Sequence, residues 1–169
     1  MPLPIPVSLS NWAQDHITAL FTAKTTKEFD DAFDAFLAHF VDSIVVNGQK
    51  LTRDQYKASL VNIRAPEFSA EVKYLGVVEA KDEKQGEKAG EVGLFARVGI
   101  TEKLIVLGQR ATETVTISFN LKIIQDTHQP VKSFDPRRVS SLTSVLVKAQ
   151  NPIVAPHHSH PLIPPTEGK

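Results

Sequence analysis

Trp12 and His16 are the first residues in the chain whose types and spacing could support chemistry. Four residues apart on a predicted helix, they share one face, so an indole and an imidazole would lie side by side. Histidine titrates near neutral pH and can act as a general acid or base. The alternative interpretation places Trp12 in the core and makes His16 a helix-side histidine with a satisfied hydrogen bond.

Tyr56, Tyr74, Arg97 and Asn120 are further candidate binding residues. Each tyrosine could present a phenol to a ligand, or pack as a ring with its hydroxyl at the surface. Arg97 and Asn120 fall on the less apolar faces of two predicted strands. They would be polar contacts in a cavity if those faces lined one. We favour surface or dimer positions for them, because the apolar faces must cover the helices.

Three histidines, His157, His158 and His160, lie within four residues near the end of the sequence. Histidine-rich tracts can bind zinc, copper or nickel. This tract is flanked by prolines, and no thiolate or carboxylate is adjacent to orient the imidazoles. We therefore expect no metal site there and keep the three histidines only as weak candidates.

Composition excludes several classes of function. The 169 residues include 19 Lys+Arg and 19 Asp+Glu, so the formal net charge is zero with neutral histidines. Proteins that bind nucleic acid usually show a basic excess, so no nucleic-acid partner is expected. The chain has no cysteine, which excludes disulfides and thiolate metal sites. It also lacks the glycine-rich loops that hold nucleotides, and we expect no cofactor.

The two ends of the sequence differ in composition from the middle. The opening MPLPIPVSLS has no positive n-region and is interrupted by prolines, so we predict no signal peptide. No stretch reaches the roughly 18 apolar residues of a membrane helix, so we expect no membrane partner and a cytoplasmic or nuclear location. We divide the chain into an N-terminal extension (1–9), one domain (10–150) and a Pro/His-rich tail (151–169), the last expected to be partly disordered.

Apolar residues at three- and four-residue spacing predict three helices before residue 66. The first has Ser10 as its predicted N-cap. The second begins with Thr25 and Glu28 at capping-box spacing and carries an apolar stripe that reaches Phe40. A short strand over 43–46 and an Asn47-Gly48 turn separate it from a third helix, which begins with another capping-box pattern at Thr52.

From residue 67 onward the apolar period changes from about 3.6 to 2, which predicts β-strands. Alternation is clear over 68–78, 92–100, 115–123 and 139–147, with a charged connector over 81–90. Helices followed by long strands with short connections predict an α+β fold with an antiparallel sheet. Apolar residues on the outward positions of 92–100 and 139–147 suggest that a partner covers part of the outer face.

The element order and one local stretch, FDDAFDAFLAHF followed by VDSIVVNGQKLTRDQYKASL, resemble the NTF2-like, or SnoaL-like, superfamily over about residues 8–150. The resemblance implies a strongly bent antiparallel sheet wrapped around the helices as a cone, often with a pocket at its open end. It also implies a homodimer through the outer sheet face. Members include isomerases, cyclases, dehydratases and hydrolases as well as non-catalytic transport and scaffolding proteins, and the fold alone does not choose among them.

Superfamily enzymes that resemble ketosteroid isomerases carry a general-base carboxylate just after the short strand. Here that stretch reads Val45-Val46-Asn47-Gly48 and has no carboxylate. Asp42 precedes the strand, and Asp54 lies in the next helix. Their ordinary roles are solubility at a strand edge and charge at a helix N-terminus. The missing carboxylate weakens the case for an isomerase mechanism.

Three functional hypotheses follow. The favoured one is a homodimeric domain that binds a small hydrophobic molecule in the cone, where the resemblance places Trp12 and His16 on the cavity wall. The alternative is an enzyme that uses acid/base chemistry on a lipophilic metabolite, with His16 and either Tyr56 or Asp42. A third is a protein-interaction module that docks through its Pro-rich tail. The sequence leaves open whether the phenylalanines at 29, 33, 36 and 40 plug the cone.

Overall fold

The computed structural model describes residues 7–65, 67–128 and 135–154. Within these ranges three helices are followed or interrupted by six strands, which confirms the predicted α+β class. The elements are α1 (Leu9–Thr22), α2 (Thr26–Phe36), β1 (Ser43–Val46), β2 (Gln49–Lys50), α3 (Arg53–Arg64), β3 (Glu67–Asp82), β4 (Gly86–Val106), β5 (Gln109–Gln125) and β6 (Arg137–Gln150).

The first helix begins two residues earlier than the sequence predicts. Ser8, not Ser10, is the N-cap of α1, and its hydroxyl accepts a hydrogen bond from the backbone N–H of Asn11 at 3.2 Å. The backbone N–H of Ser10 instead donates to a Glu79 carboxylate oxygen at 2.7 Å. This contact ties the start of α1 to β3, which the local sequence could not indicate.

The second helix begins as predicted and ends early. Thr25 and Glu28 form the capping box, each satisfying a backbone donor of the other. The helix ends at Phe36, because Leu37 is extended and pairs with Val139 of β6. The predicted extension of the apolar stripe to Phe40 is therefore wrong, and the Phe40 side chain is 71% exposed.

The third helix also has the predicted capping box, between Thr52 and Gln55. Its buried face carries Tyr56 and Leu60, which point towards the sheet core. The local cap fixes where α3 starts, so the sequence also fixes which of its side chains turn inward.

The six strands form one open sheet in the order β2-β1-β6-β5-β4-β3. All neighbours are antiparallel except β1 and β6, which run parallel. The helices pack on one face, called here the concave face. Because side chains alternate along a strand, the odd-numbered residues of β5 from 111 to 123 are buried on that face, and the even-numbered ones point to the outer face.

The strands are longer than their alternating apolar stretches. Residues 81–90, predicted as a connector, belong mostly to β3 and β4, with Lys81 opposite Gly90. Gly90 allows a close approach at this point, since a Cβ there would lie 2.3 Å from the Ala80 carbonyl oxygen and 2.8 Å from Leu9 Cδ1. Hydrogen bonding between neighbouring strands carries a strand past the last apolar residue.

The phenylalanines of α2 fill the centre of the space under the sheet. Phe29, Phe33 and Phe36 are 3% exposed or less, and they pack with apolar side chains of α1 and of β4, β5 and β6. The question that the sequence left open is answered by these three side chains, which fill the centre of the cone, whereas the exposed Phe40 does not. In the part of the chain that the structure describes, no helix is long and apolar enough to span a bilayer.

Candidate functional site

A pocket of about 210 Å³ remains between α3 and the concave face, beside the α2 phenylalanines. We call it the cone pocket. Its walls come from α3, from the middle of β5 and β6, and from the end of β1, and they are mainly apolar. The lining residues are Val46, Tyr56, Ser59, Leu60, Asn62, Ile63, Ile117, Phe119, Ser144 and Leu146.

Tyr56 is the candidate residue that the structure places in the cone pocket. The first turn of α3 turns its ring inward, where it packs on Phe33 with ring centroids 6.2 Å apart. The side chain is 3% exposed, and burial raises the pKa of the phenol well above its usual range. The hydroxyl therefore stays protonated and is available as a hydrogen-bond donor.

Ser144 is a second polar residue of the cone pocket, and the sequence analysis missed it. It lies on β6 opposite Phe119 and is 3% exposed. Neither its hydroxyl nor that of Tyr56 has a hydrogen-bond partner among the described residues. The signal in the sequence was a serine at an inward position between Leu142 and Leu146, which the alternation alone could not distinguish from a packing residue.

Beyond the cone pocket, β5 and β6 carry charged residues on the same face. Glu113 pairs with Lys148 at 2.7 Å, and the Gln150 amide donates to Glu102 at 2.8 Å. Both glutamates are 7% exposed. These pairs form a polar rim, and neither takes part in the lining of the pocket.

Trp12 and His16 do share a face, as their spacing predicts, but they lie at the other end of the molecule. Their rings are 4.3 Å apart, and Trp12 also packs on Phe36. Burial, and then the positive charge of Arg138, lower the pKa of His16 to about 4. His16 is therefore neutral at pH 7, and neither residue lines the cone pocket.

Arg137 closes this α1 end. Its guanidinium bonds the Asp135 carboxylate at 2.6 to 3.1 Å and donates to the carbonyl oxygens of Val7 and Glu87. It also lies over the Trp12 ring, 5.8 Å from the centroid. The charged groups at this end are thus neutralised by contacts within the chain.

Tyr74 links β3 to α1. Its hydroxyl bonds the Thr18 hydroxyl at 2.8 Å and donates to the Gln14 carbonyl oxygen at 2.6 Å. Burial raises its pKa to about 12, even though the bond with Thr18 favours ionisation. Tyr74 is a partnered residue between two elements and lies outside the cone pocket.

The other candidates lie on the surface. Asp42 is exposed, and its backbone N–H bonds the Ser140 carbonyl oxygen at 2.8 Å. Arg97 and Asn120 are exposed on the outer face, the latter beside a wide depression of about 510 Å³ across β3 to β6. The structure therefore does not bring the seven candidates together.

The metal candidates His157, His158 and His160 lie outside the described residues, as do residues 1–6 and the rest of the tail from 155 onward. Within the described ranges, no group of three or more His, Asp or Glu side chains could hold a metal ion.

Several solved structures resemble this chain in fold. Kfla4162 from Kribbella flavida has a TM-score of 0.57 and 14% sequence identity, over 83% of this chain and 89% of that one. A chain in the Mtr2–Mex67 M domain complex from C. albicans has a TM-score of 0.51 and 10% identity, over 87% of this chain and 99% of that one. An NTF2-like protein of unknown function from Exiguobacterium sp. 255-15 has a TM-score of 0.47 and 18% identity, over 80% and 98% of the two chains.

The chain has the NTF2-like fold. The resemblance seen in the sequence is confirmed at this level. AclR from Streptomyces galilaeus, provisionally described as a hydroxylase, has a TM-score of 0.51 and 8% identity, over 82% of this chain and 90% of that one. No protein-family model matches the sequence, and no curated protein is similar to it. At these identities the NTF2-like fold is shown without an activity or a partner.

Proposed function

We propose that the protein binds a small, neutral, largely apolar molecule in the cone pocket, with Tyr56 donating a hydrogen bond to it. The observation that carries the proposal is the pair of hydroxyls, on the otherwise buried side chains Tyr56 and Ser144, that face an apolar pocket without a hydrogen-bond partner among the described residues. A hydrogen bond between one of these hydroxyls and an acceptor atom of a ligand would contribute about 0.5–1.5 kcal/mol to binding.

The size of the pocket limits the ligand. An apolar cavity of about 150 Å³ accepts benzene, so a pocket of about 210 Å³ suits a molecule with one ring and a short substituent. The ligand should carry an acceptor such as a carbonyl and no charge, since the lining residues include no charged group.

Catalysis has less support than binding. Tyr56 is the one titratable side chain among the residues that line the cone pocket, and burial keeps it protonated. The other two residues of the acid/base hypothesis, His16 and Asp42, are not part of that lining. We therefore limit the proposal to binding.

Acetophenone and cumene test this proposal, because they have nearly the same shape and only acetophenone has a carbonyl. We expect acetophenone to bind more tightly than cumene, as measured by NMR titration. Tyr56→Phe should reduce this ratio of affinities by up to about tenfold. Tyr74→Phe is the matched control and should leave both affinities unchanged. The proposal fails if neither compound perturbs resonances of the pocket residues, or if the two tyrosine variants behave alike.

We propose separately that two copies associate through the outer face. Val78, Phe95, Val145 and Val147 are exposed there. Register places Phe95 of β4 and Val145 of β6 on either side of Ser118 of β5, so two exposed apolar side chains flank one small residue. The residues between them are mostly small or glycine, which leaves a surface that a second copy can approach closely.

The test is the mass in solution by light scattering at micromolar concentration. The wild-type chain should have the mass of a dimer, and Val145→Asp should give a monomer, because an unpaired charge would be buried in the interface. Phe40→Asp, an exposed position away from the outer face, should remain dimeric. A monomeric wild-type mass refutes this second proposal and leaves the first intact.

A further inference from the structure

Two hairpin turns in this chain share a backbone conformation and differ in sequence. Asn47 and Gly48 have φ values of 50° and 79°, and Leu107 and Gly108 have 51° and 78°. Positive φ at both central residues is typical of a type I′ turn, which favours asparagine followed by glycine. Leucine is strained in this conformation because its Cβ crowds the backbone.

Leu107 gains nothing within the described fold that would offset the strain. Its side chain is 68% exposed, and the two aliphatic side chains Leu104 and Ile105 near it are 58% and 59% exposed. Strained residues persist where the surrounding structure or a function requires them. An exposed leucine at such a position points to a contact outside the chain.

The segment around this turn, residues 103–110, is called here the hairpin tip. Between the pairs Thr101–Thr112 and Ile105–Arg110, three residues of β4 face one residue of β5. The Arg110 guanidinium holds this bulge by donating to the carbonyl oxygens of Glu102 and Lys103. Pairing continues to Val106 and Gln109, so the two strands of the hairpin stay hydrogen-bonded to each other up to the turn.

The charge around the hairpin tip is positive. Residues 103–112 contain Lys103 and Arg110 and no acidic residue. The acids on either side, Glu102 and Glu113, are buried on the concave face, where they contact Gln150 and Lys148. Lys103 is exposed at the base of the tip. A surface that meets this tip should therefore be anionic.

We propose that the hairpin tip inserts into the headgroup region of an anionic lipid bilayer, with Leu107 leading and Lys103 and Arg110 among the headgroups. From Ile105 to Leu107 the tip spans about 7 Å at about 3.4 Å per residue, which matches the depth of about 5–10 Å reached by interfacial segments. A protein partner would need about 800 Å² on each side, and a convex turn with three exposed aliphatic residues offers much less.

The experiment is cosedimentation with vesicles of phosphatidylcholine, with and without about 30% phosphatidylserine. The wild-type chain should bind the anionic vesicles more strongly, and salt should weaken the binding. Leu107→Asn should lose at least about tenfold in partitioning. Its melting temperature should hold or rise, because asparagine is favoured in the turn. Lys103→Gln should lower partitioning to anionic vesicles about fivefold and should not change partitioning to neutral vesicles.

Phe40→Asn is the matched control, since Phe40 packs on His128 beyond the opposite end of β5 and should not affect vesicle binding. The proposal is overturned if the wild-type chain binds anionic vesicles no better than neutral ones, or if Leu107→Asn binds as well as wild type. It is also overturned if Leu107→Asn lowers the melting temperature, or if it changes the mass in solution, which would assign the tip to a contact between copies. The inference does not depend on the cone pocket.

Discussion

At the α1 end of the concave face, side chains such as Arg137 bind other residues of the chain, and the Trp12 indole N–H is buried without a partner among the described residues. At the α3 end, two hydroxyls face an apolar pocket. Arg137 and Tyr74 illustrate the first situation, and Tyr56 and Ser144 the second. Trp12, His16 and Arg137 lie close together at the α1 end, and none of them lines the cone pocket. In this protein, the cluster of titratable residues therefore does not coincide with the pocket.

The α2 phenylalanines separate the two ends. Phe36 packs on Trp12, with centroids 6.4 Å apart, and Phe33 packs on Tyr56. Both are completely buried. The helix α2 therefore fills the middle of the cone and leaves space on the side where its neighbour is α3.

The comparison of the two ends can be tested by truncating Phe33 and Phe36, and we expect the largest effect from these variants. Phe33→Ala and Phe36→Ala should each lower the free energy of unfolding by about 3–5 kcal/mol, measured by urea denaturation. Phe33→Ala should also enlarge the cone pocket and strengthen binding of a larger apolar ketone such as propiophenone. Phe36→Ala, whose cavity opens beside Trp12, is the control and should not. Equal gains in both variants would contradict the separation of the two ends.

The pH dependence of stability tests the α1 end. Because the pKa of His16 is about 4 in the fold and 6.5 without it, the unfolded chain takes up a proton between these values that the folded chain does not. The free energy of unfolding should therefore fall as the pH decreases from about 6.5 to about 4, by about 2 kcal/mol after allowance for a half-buried site.

His16→Gln should remove this part of the acid sensitivity, as measured by denaturation at pH 7 and pH 5. His39→Gln, at an exposed histidine, is the control and should retain it. If His16→Gln loses stability in acid as steeply as the wild-type chain, then His16 is not held neutral by its surroundings.

The smallest effects compare two tyrosines. Tyr74→Phe should cost about 1 kcal/mol, because it removes the bonds to Thr18 and to the Gln14 carbonyl oxygen. Tyr56→Phe should change stability by less than about 0.5 kcal/mol, since its hydroxyl has no partner among the described residues. Thermal denaturation of the two variants in parallel measures both, and a larger loss in Tyr56→Phe would mean that its hydroxyl is already bonded in the free protein.

Features encoded by neighbouring residues were the ones that the sequence predicted well. The capping boxes at Thr25 and Thr52 act within one turn, so they fix where α2 and α3 start. The end of α2 depends on Val139, about a hundred residues away, which pairs with Leu37. The apolar stripe continued to Phe40, and strand pairing prevailed over it.

The same limit applies to the candidate site. Spacing correctly placed Trp12 and His16 on one face, and the cap of α3 turned Tyr56 inward. Whether a face borders a cavity or a packed core depends on the side chains that arrive from other elements. For Trp12 these are Phe36 and Arg137, and no local pattern indicates either contact.

The sequence by itself determined the α+β class, the starts of two helices, the alternating faces of the long strands and the absence of thiol chemistry, because each depends on residue type and short spacing. The tertiary structure decided where space remains, which polar groups lack partners and which apolar residues stay exposed. Packing and pairing join residues that are far apart in the chain, and they assigned Tyr56 and Ser144 to a pocket and Leu107 to an exposed turn.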